Sequence, residues 1–315
     1  MDRLQTYLGR ERPNNVVVDY YSIPVENRPY LYCYDSMINQ QFPTGPTSYY
    51  QDMTRYIHYQ PQLQSKKFLF YPSDRVEGFK IPTLVKSRPI YNYEESILLN
   101  MNYARHFEDV YNVDANDIDF KDKTPVLVWR GADTGYGFGN NIPYRPVSRQ
   151  KLVEDYFHHQ GNIDVGLSIV DVNNKANDNN NKWHGNYTKP NMNMKELLQY
   201  KYLLSVEGND VATNLKWILY SKSVPFCPPF TMNSWILEEK LMPWRHYIPV
   251  NSDFSDLEEK VIWADHHPEH CEYVAKEGRI YMEQFLDLKT EKEIIHKILK
   301  EYATKVKISY IKIKN

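Results

Sequence analysis

The sequence predicts an α/β protein made of two Rossmann-like halves, with a ligand site in the cleft between them. After residue 125, short apolar runs alternate repeatedly with helical patterns, which is typical of a parallel sheet covered by helices. Residues 200–228 contain a strand, a sharp turn, a helix and a second strand in close succession. The earlier half is less regular, but it also contains strand-like runs and a helical pattern.

One strand–turn–helix–strand segment organises the C-terminal half. Residues 202–206 form an apolar run typical of a strand, and in the turn that ends it Asn209 or Asp210 suits a helix N-cap. One apolar helical face follows, formed by Val211, Leu215, Ile218 and Leu219. A second strand, 223–227, implies parallel pairing through a right-handed crossover. Ligands of such sheets bind beyond the carboxyl ends of the strands, so the turn 207–213 is the first candidate site.

The N-terminal half is predicted to be irregular with short strands over residues 1–65. A buried strand at 67–71 ends in a Pro-Ser-Asp turn, which places the acid Asp74 at a strand end. Because Pro-Ser-Asp is also ordinary turn chemistry, the residues alone favour a turn without a function. A helix is predicted over 94–107 and a polar linker over 110–124.

The linker contains two aspartates in a D-x-D pattern, Asp117 and Asp119. Carboxylates one residue apart can share a divalent cation, as in many sugar transferases. The pattern also arises by chance in acidic linkers, so a solvated loop is the favoured interpretation. A second group of potential ligands is interpreted as a junction between helices, because Pro268 interrupts the helix that would align them. This group consists of His266, His267, His270 and Cys271.

A strongly apolar strand is predicted at 125–129, and it ends abruptly at Arg130. Glycine then recurs at alternate positions over 135–139. Glycines after a strand let backbone amides approach an anion closely, and Arg130 supplies a charged fork. The spacing matches neither G-x-G-x-x-G nor a P-loop, which argues against a generic mononucleotide site. The next predicted helix, 148–159, carries Arg149 near its positive end.

Composition excludes several functional classes. The net charge of −2 argues against a dedicated nucleic-acid binder, since phosphate affinity needs a basic surface. No apolar run approaches the ~20 residues that a membrane helix requires, and the N-terminus lacks the apolar segment of a signal peptide. The cysteines, which are odd in number and far apart, fit a reducing compartment better than a disulfide framework. We therefore expect a cytoplasmic protein without a transmembrane segment.

Four motifs occur in order in the C-terminal half. They are VWRGADTG at 128–135, SRQKLV at 148–153, YKYLLSVEGNDVATNLKWILYSKSVPF at 200–226 and SWILEEKLMPWRHYIPVNSDFSDLEEKVIWA at 234–264. In this order they resemble glycosyltransferase family 90, the protein O-glucosyltransferases and CAP-type capsule or lipopolysaccharide glycosyltransferases. The motifs cover most of residues 126–286 and are more similar to bacterial and viral members than to animal ones.

The resemblance implies a GT-B fold, a UDP-sugar donor, inversion at the anomeric carbon and no metal cofactor. Inversion by direct displacement needs one general base to take the proton from the acceptor hydroxyl. The family has an aspartate after an N-terminal strand, and FLFYPSD puts Asp74 there, which favours a catalytic role over the turn interpretation. The expected domains are an acceptor-side domain at 1–124, a nucleotide-sugar-binding domain at 125–286 and a helix and tail at 287–315 that pack back on the N-terminal half.

The resemblance also implies a donor site in the C-terminal half. The two phosphates of the leaving UDP must be neutralised, and without a metal this falls to arginine forks and a helix N-terminus. Arg130, Thr134 and Arg149 match the family's phosphate and donor positions. Glu207 and Glu238 are candidates to bind a sugar or ribose hydroxyl.

The central helix departs from the family. Where many members carry Ser-x-Arg, with the arginine facing the diphosphate, this chain has Ala-Thr-Asn at 212–214. Phosphate binding then passes to Thr213, Lys216 or Arg130, or donor affinity is weak. The amides of 209–211 are expected to cap the helix toward the diphosphate. In full, the predicted donor-binding residues are Trp129, Arg130, Gly131, Thr134, Arg149, Glu207, Gly208, Asn209, Asp210, Thr213, Asn214, Lys216 and Glu238.

The predicted function is transfer of glucose or xylose from a UDP-sugar to a glycan hydroxyl in capsule, lipopolysaccharide or viral glycan synthesis, in the host cytoplasm if the chain is viral. The two sugars differ by a hydroxymethyl group, which one pocket side chain can distinguish. An alternative is a glycan-binding protein that kept the fold and lost catalysis, which the missing Ser-x-Arg supports and Asp74 argues against. A third hypothesis is a metal-dependent transferase that uses Asp117 and Asp119.

Overall fold

The computed structural model of the chain describes residues 3–24, 27–34, 47–74, 77–135, 149–169 and 186–309. The strands are β1 (Val16–Asp19), β2 (Tyr30–Cys33), β3 (Lys67–Tyr71), β4 (Phe79–Val85), β5 (Arg88–Pro89), β6 (Glu94–Leu98), β7 (Thr124–Ala132), β8 (Ile163–Ile169), β9 (Tyr200–Leu204), β10 (Val224–Cys227), β11 (Met232–Asn233), β12 (Ile248–Pro249) and β13 (Val306–Ser309). The α-helices are Arg3–Leu8, Thr47–His58, Pro61–Gln64, Tyr103–Asn116, Arg149–Tyr156, Met194–Leu197, Leu215–Tyr220, Leu257–His266, Pro268–Glu283 and Leu288–Lys305. Within the described ranges, no helix combines the length and the apolar composition needed to cross a bilayer.

The chain divides into two compact units. The first consists of Met1–Ala104, Met232–Trp235 and Phe285–Asn315, and the second of Arg105–Thr231 and Ile236–Gln284. The C-terminal helix and β13 therefore belong to the same unit as the N-terminal strands. The functional domains predicted at 1–124, 125–286 and 287–315 stay predictions, because compactness alone does not define a domain with its own function.

The second unit contains a five-stranded parallel sheet in the order β12-β10-β9-β7-β8. Leu127 on β7 lies between Tyr202 on β9 and Ile163 on β8. Trp129 and Phe226 are also buried, as expected for parallel strands whose two faces are both covered. The predicted parallel pairing within 200–228 is confirmed, since β9 and β10 are adjacent and parallel.

The first unit contains a four-stranded sheet in the order β2-β3-β4-β6, in which β3, β4 and β6 are parallel and β2 is antiparallel. The buried Tyr302 of the C-terminal helix joins two of these strands. Its hydroxyl accepts a hydrogen bond from Leu69 N (3.1 Å) and donates one to Pro82 O (2.9 Å). The region 1–65, predicted as irregular with short strands, also forms several helices. Both units thus combine parallel strands with helices, which confirms the α/β class.

The prediction of a helix over 94–107 is wrong. Residues Glu94–Leu98 form β6, which pairs with β4, and a helix begins only at Tyr103. Ile97 and Leu98 are consecutive and both buried, which a strand covered on both faces permits and an amphipathic surface helix does not. Asn102, with a left-handed φ of 57°, breaks the chain direction before the helix.

The prediction of a polar linker over 110–124 is also wrong for most of these residues. The helix Tyr103–Asn116 continues through it because Val110 and Val113 are buried on its inner face. A short 3₁₀ helix, Phe120–Asp122, then leads into β7. The polar residues that suggested a linker are the exposed face of an ordinary amphipathic helix.

The central helix begins later than its apolar pattern predicts. It spans Leu215–Tyr220 with Asn214 as the N-cap, so neither Asn209 nor Asp210 caps it. The preceding residues form a turn in which Gly208 N donates to Asp210 O at 3.1 Å. The expectation that the amides of 209–211 cap this helix is therefore wrong.

Candidate functional site

The carboxyl ends of three neighbouring strands meet at one edge of the sheet in the second unit. Residues 133–135 follow β7, 205–210 follow β9, and 228–231 follow β10. Because these strands are adjacent and parallel, their exit loops lie side by side. This edge contains most of the predicted donor-binding residues, as the position of ligand sites in open parallel sheets predicts.

Arg149 joins the exits of β7 and β9. Its Nη1 donates to Ala132 O at 2.9 Å and to Thr134 Oγ1 at 2.8 Å. Its Nη2 donates to Val206 O at 2.6 Å, and its Nε to Glu207 O at 3.1 Å. These hydrogen bonds fix the orientation of a guanidinium at the sheet edge. Such a cation suits an anionic ligand.

Two glycines allow the β7 and β9 loops to approach one another. A Cβ at Gly208 would lie 2.6 Å from Thr134 Oγ1 and 2.9 Å from Arg149 Nη2, so a side chain there would displace the network. Gly135 has a left-handed φ of 99°, and its N donates to Asn209 Oδ1 at 3.0 Å. We call Thr134, Arg149, Gly208 and Asn209 the arginine network. The other predicted glycines of this loop, 137 and 139, lie outside the described residues.

Trp129 and Gly131 support this network from within β7. Trp129 is buried, and its ring centroid lies 5.6 Å from the Arg149 guanidinium carbon, within cation–π range. A Cβ at Gly131 would lie 2.5 Å from the Trp129 ring, so glycine is required for the indole to lie where it does. Both predicted residues are therefore part of the scaffold under the site.

A small recess beside the network contains two carboxylates. Glu207 accepts hydrogen bonds from Thr231 N (3.1 Å) and from the Thr231 hydroxyl, and Glu238 is almost fully buried. The remaining lining is mainly apolar and is formed by Ser205, Val211, Ala212, Leu215, Pro228, Pro229 and Phe230. The recess has a free volume of about 10 Å³, enough for about one water molecule, so its carboxylates suit single hydroxyl groups of a ligand rather than a whole sugar ring. Sequence reasoning missed Thr231 and Phe230, although their position after β10 is the signal that could have found them.

The thiol next to this recess does not act as a nucleophile. Burial, together with the charge of Glu207, raises the pKa of Cys227 well above its usual value. The thiol therefore stays protonated at neutral pH, and protonated thiols are poor nucleophiles. Covalent catalysis through this cysteine is not supported by its environment.

Arg130 is directed away from the arginine network. Its Nη2 donates to Asp164 Oδ2 at 2.7 Å, its Nη1 to Asp164 O at 3.0 Å, and its Nε to Pro190 O at 3.2 Å. Lys189 Nζ binds the other oxygen of Asp164 at 2.7 Å. Burial alone would raise the pKa of Asp164, but the hydrogen bonds from Arg130 and Lys189 outweigh it and lower that pKa. The Arg130 charge is thus paired with a carboxylate.

The residues of the central helix and of the turn before it differ in what they offer a ligand. Asn214 Oδ1 accepts from Ser205 Oγ at 2.9 Å, so this amide ties the helix to the end of β9. Lys216 is buried, with its Nζ 5.8 Å from the Phe107 ring centroid. Asp210 is buried as well, whereas Thr213 is partly exposed. Of the two predicted substitutes for the missing arginine in this part of the chain, Thr213 and Lys216, only Thr213 reaches the surface.

The D-x-D carboxylates are bound to lysines. Asp117 accepts from the buried Lys123 ammonium and from Lys222 N at 2.7 Å, while Asp119 accepts from Lys222 Nζ at 2.6 Å. Two cations beside two carboxylates repel a divalent metal ion. Within the described ranges, no group of three or more histidine, cysteine, aspartate or glutamate side chains is arranged to hold a metal, and this includes the cluster at 266–271.

Asp74 lies at the carboxyl edge of the sheet in the first unit. It follows β3, and Lys86 follows the parallel neighbour β4. Lys86 Nζ lies 2.9 Å from Asp74 Oδ1, with the lysine side chain 4% exposed and the aspartate side chain 27% exposed. The predicted strand at 67–71 is β3. The structure therefore places Asp74 just beyond the end of a strand, as the sequence predicts.

The sequence has relatives among known glycosyltransferases. Glycosyl transferase family 90 matches residues 89–315. The O-glucosyltransferase LpsA of Dichelobacter nodosus is 34% identical over 258 residues, which cover 82% of this chain and 72% of that protein. Protein O-glucosyltransferase 2 of Danio rerio is 34% identical over 108 residues, or 34% of this chain and 21% of its own length.

A viral protein is also similar. Uncharacterized protein 179R of Invertebrate iridescent virus 6 is 24% identical over 241 residues, which cover 70% of this chain and 20% of that protein. The chain thus spans about a fifth of the length of the fish and viral relatives and most of the bacterial one. The family match extends over well more than half of the chain, through β7, β9 and β10 and their exit loops. The chain therefore belongs to glycosyl transferase family 90, and its activity class is glycosyl transfer.

Proposed function

We propose that this protein is an inverting glycosyltransferase that moves glucose or xylose from a UDP-sugar to a hydroxyl of a glycan. The observation that carries the proposal is the arginine network beside a carboxylate-containing recess, at the sheet edge where the family motifs converge. A guanidinium held by carbonyls offers charge to a diphosphate, and the recess offers acceptors to the hydroxyls of a sugar or ribose. The UDP-sugar is therefore proposed to bind the second unit.

The chemical step is a direct displacement with Asp74 as general base. The acceptor oxygen attacks the anomeric carbon while Asp74 takes the hydroxyl proton, and the bond between that carbon and the diphosphate oxygen breaks, which releases UDP. The charge that develops on the leaving diphosphate is stabilised by Arg149 and Thr134. The position of Asp74 at a strand exit and its ionic partner Lys86 support this role, since the ammonium holds the carboxylate in one orientation.

The transfer is proposed to need no metal ion and to take place on a GT-B architecture. The lysine partners of Asp117 and Asp119 support the metal independence, because they bind the carboxylates that would hold the ion in the metal-dependent hypothesis. The GT-B architecture is supported by two units that each contain parallel strands, one with the proposed base and one with the proposed donor site. Cysteines free of disulfides, two of them buried, support a cytoplasmic location.

Glucose is the favoured donor sugar. The bacterial and fish relatives are both O-glucosyltransferases, and glucose differs from xylose only by a hydroxymethyl group, which one pocket contact can distinguish. Capsule, lipopolysaccharide or viral glycan synthesis is the proposed setting, since the bacterial relative is similar over most of both chains.

A glycan-binding protein without catalysis is the second candidate. It is favoured by Asn214, which stands where many family members have an arginine and which is engaged with Ser205. In this case the acceptor glycan would bind, while UDP and UDP-sugars would not.

Calorimetric titration with UDP, UDP-glucose and UDP-xylose, each with and without EDTA, tests the donor site. The proposal predicts that UDP binds, that UDP-glucose binds at least as tightly as UDP-xylose, and that EDTA does not change these affinities. Absence of binding for all three ligands would contradict it in favour of the glycan-binding candidate. Binding that EDTA abolishes would instead support a metal-dependent transferase.

A further inference from the structure

The ion pair between Lys86 and Asp74 is unequal in burial. The lysine side chain is 4% exposed and lies directly after the end of β4, whereas the aspartate side chain is 27% exposed. The register pairs Phe70 with Leu84 and Tyr71 with Val85, so the two chains leave the sheet side by side. The fold thus places an ammonium group beneath a carboxylate that reaches solvent.

Stability alone gives a weak reason for such a pair. Removing an ammonium from water carries a desolvation cost, which the attraction to a partly exposed carboxylate often only balances. A pair of apolar side chains of similar volume would often fill the same space at a comparable or lower free energy. A buried lysine at this position therefore points to a role that depends on its charge and on its direction.

We propose that Lys86 is a positioning residue for the general base, and this inference rests on the function proposed above. Its ammonium holds Asp74 Oδ1 at 2.9 Å and thereby restricts rotation of the carboxylate. Lys86 is proposed to act on the acceptor only through Asp74 and to make no contact with the donor.

Replacement of Lys86 by methionine tests the inference, with Lys86→Arg as the conservative variant. We expect Lys86→Met to lower kcat by roughly 10- to 100-fold, a part of the ~10²- to 10⁴-fold that a general base contributes. The Kd for UDP should not change, because the lysine does not touch the donor. Lys86→Arg, which retains the charge and the donors, should recover most of the rate.

A second buried lysine provides a matched control. Lys123 is also a buried lysine paired with an aspartate, Asp117, which here is buried as well, but it lies before β7 and takes no part in the proposed chemistry. Lys123→Met removes an ion pair that is more deeply buried than that of Lys86, so a loss of stability without a loss of kcat per folded molecule is expected. Should Lys86→Met fail to fold, Lys86→Gln makes the same comparison with a polar, uncharged side chain.

A double-mutant cycle separates positioning from a general structural effect. If Lys86 acts through Asp74, then Lys86→Met should cause no further loss of transfer in the Asp74→Asn background. Independent, multiplied losses would show that the lysine supports the fold instead and would overturn the inference. A wild-type kcat in Lys86→Met would overturn it as well.

The same set of proteins distinguishes failure of this inference from failure of the proposed function. Wild-type protein that releases no UDP from either donor, or Asp74→Asn protein with full transfer, removes the general base and with it the role of Lys86. Impaired Asp74→Asn together with unimpaired Lys86→Met leaves the function in place and rejects the lysine alone.

Discussion

The carboxyl edges of the two parallel sheets are built in different ways. In the second unit, the exits of β7 and β9 are bound together by several hydrogen bonds from Arg149, and Gly208 allows the close approach. In the first unit, the exits of β3 and β4 are joined by the ion pair between Lys86 and Asp74. The first kind of edge suits recognition of a ligand with many polar groups, whereas the second suits a single proton transfer. Most residues of the four family motifs lie in the second unit, where donor binding is proposed.

The largest expected effect is that of removing the base. Asp74→Asn should lower transfer on the order of 10²- to 10⁴-fold, because the amide cannot accept the hydroxyl proton. The Kd for UDP should stay unchanged, since donor binding is assigned to the other edge. UDP release in the presence of acceptor measures the rate, and calorimetry measures the affinity. Transfer at the wild-type rate would remove Asp74 from the mechanism.

The arginine network should give the next largest effect. Arg149→Ala removes a charged fork worth about 1.5–3 kcal/mol per charge-assisted hydrogen bond, or roughly 10- to 100-fold in the Kd for UDP. Arg149→Lys keeps the charge but loses the planar fork, so it should recover only part of this affinity. Titration calorimetry with UDP compares the three proteins. Unchanged affinity in Arg149→Ala would place the diphosphate elsewhere.

Arg130→Ala should weaken UDP binding less than Arg149→Ala does. The guanidinium of Arg130 is paired with Asp164, which keeps Lys189 as a second partner when the arginine is removed. The same titrations measure both variants. A larger loss for Arg130→Ala would mean that this arginine leaves Asp164 to bind the diphosphate, as the family position implies, and would reverse the order of the two arginines.

The smallest expected effect is that of chelation and of the D-x-D aspartates. EDTA should leave transfer unchanged, and so should Asp119→Asn, because this exposed carboxylate pairs with Lys222 at the surface. The measurement is UDP release before and after dialysis against EDTA, with and without added Mg²⁺ or Mn²⁺. Activity that is lost on chelation and restored by a divalent cation would revive the metal-dependent hypothesis.

The contrast between the edges also explains what the sequence could predict. The strand 67–71, a strand near the predicted 202–206 that the structure places at Tyr200–Leu204, and the parallel pairing of β9 with β10 follow from short apolar runs separated by turn residues, all of which are local signals. Lys86 could not be found in this way. It becomes a partner of Asp74 only through the pairing of β3 with β4, and no residue adjacent to it in the sequence indicates that pairing.

Two further predictions failed for physical reasons that periodicity does not capture. Ile97, Met101 and Ala104 satisfy a helical spacing, but Ile97 lies in β6 together with its equally buried neighbour Leu98. The central helix begins at Leu215 because Asn214 and Ser205 hold its start against the end of β9, a contact across the turn. Both outcomes depend on tertiary packing, which overrides local preference.

The measurement that tests the account most directly is the configuration of the product formed from UDP-glucose. Wild-type protein is incubated with UDP-glucose and a panel of acceptor glycans, UDP release identifies the acceptor used, and proton NMR determines the new linkage. Because UDP-glucose carries an α-linked sugar, direct displacement with Asp74 as base predicts a β-glucoside. An α-glucoside would contradict the inverting mechanism, and absence of UDP release with every acceptor would contradict glycosyl transfer by this chain.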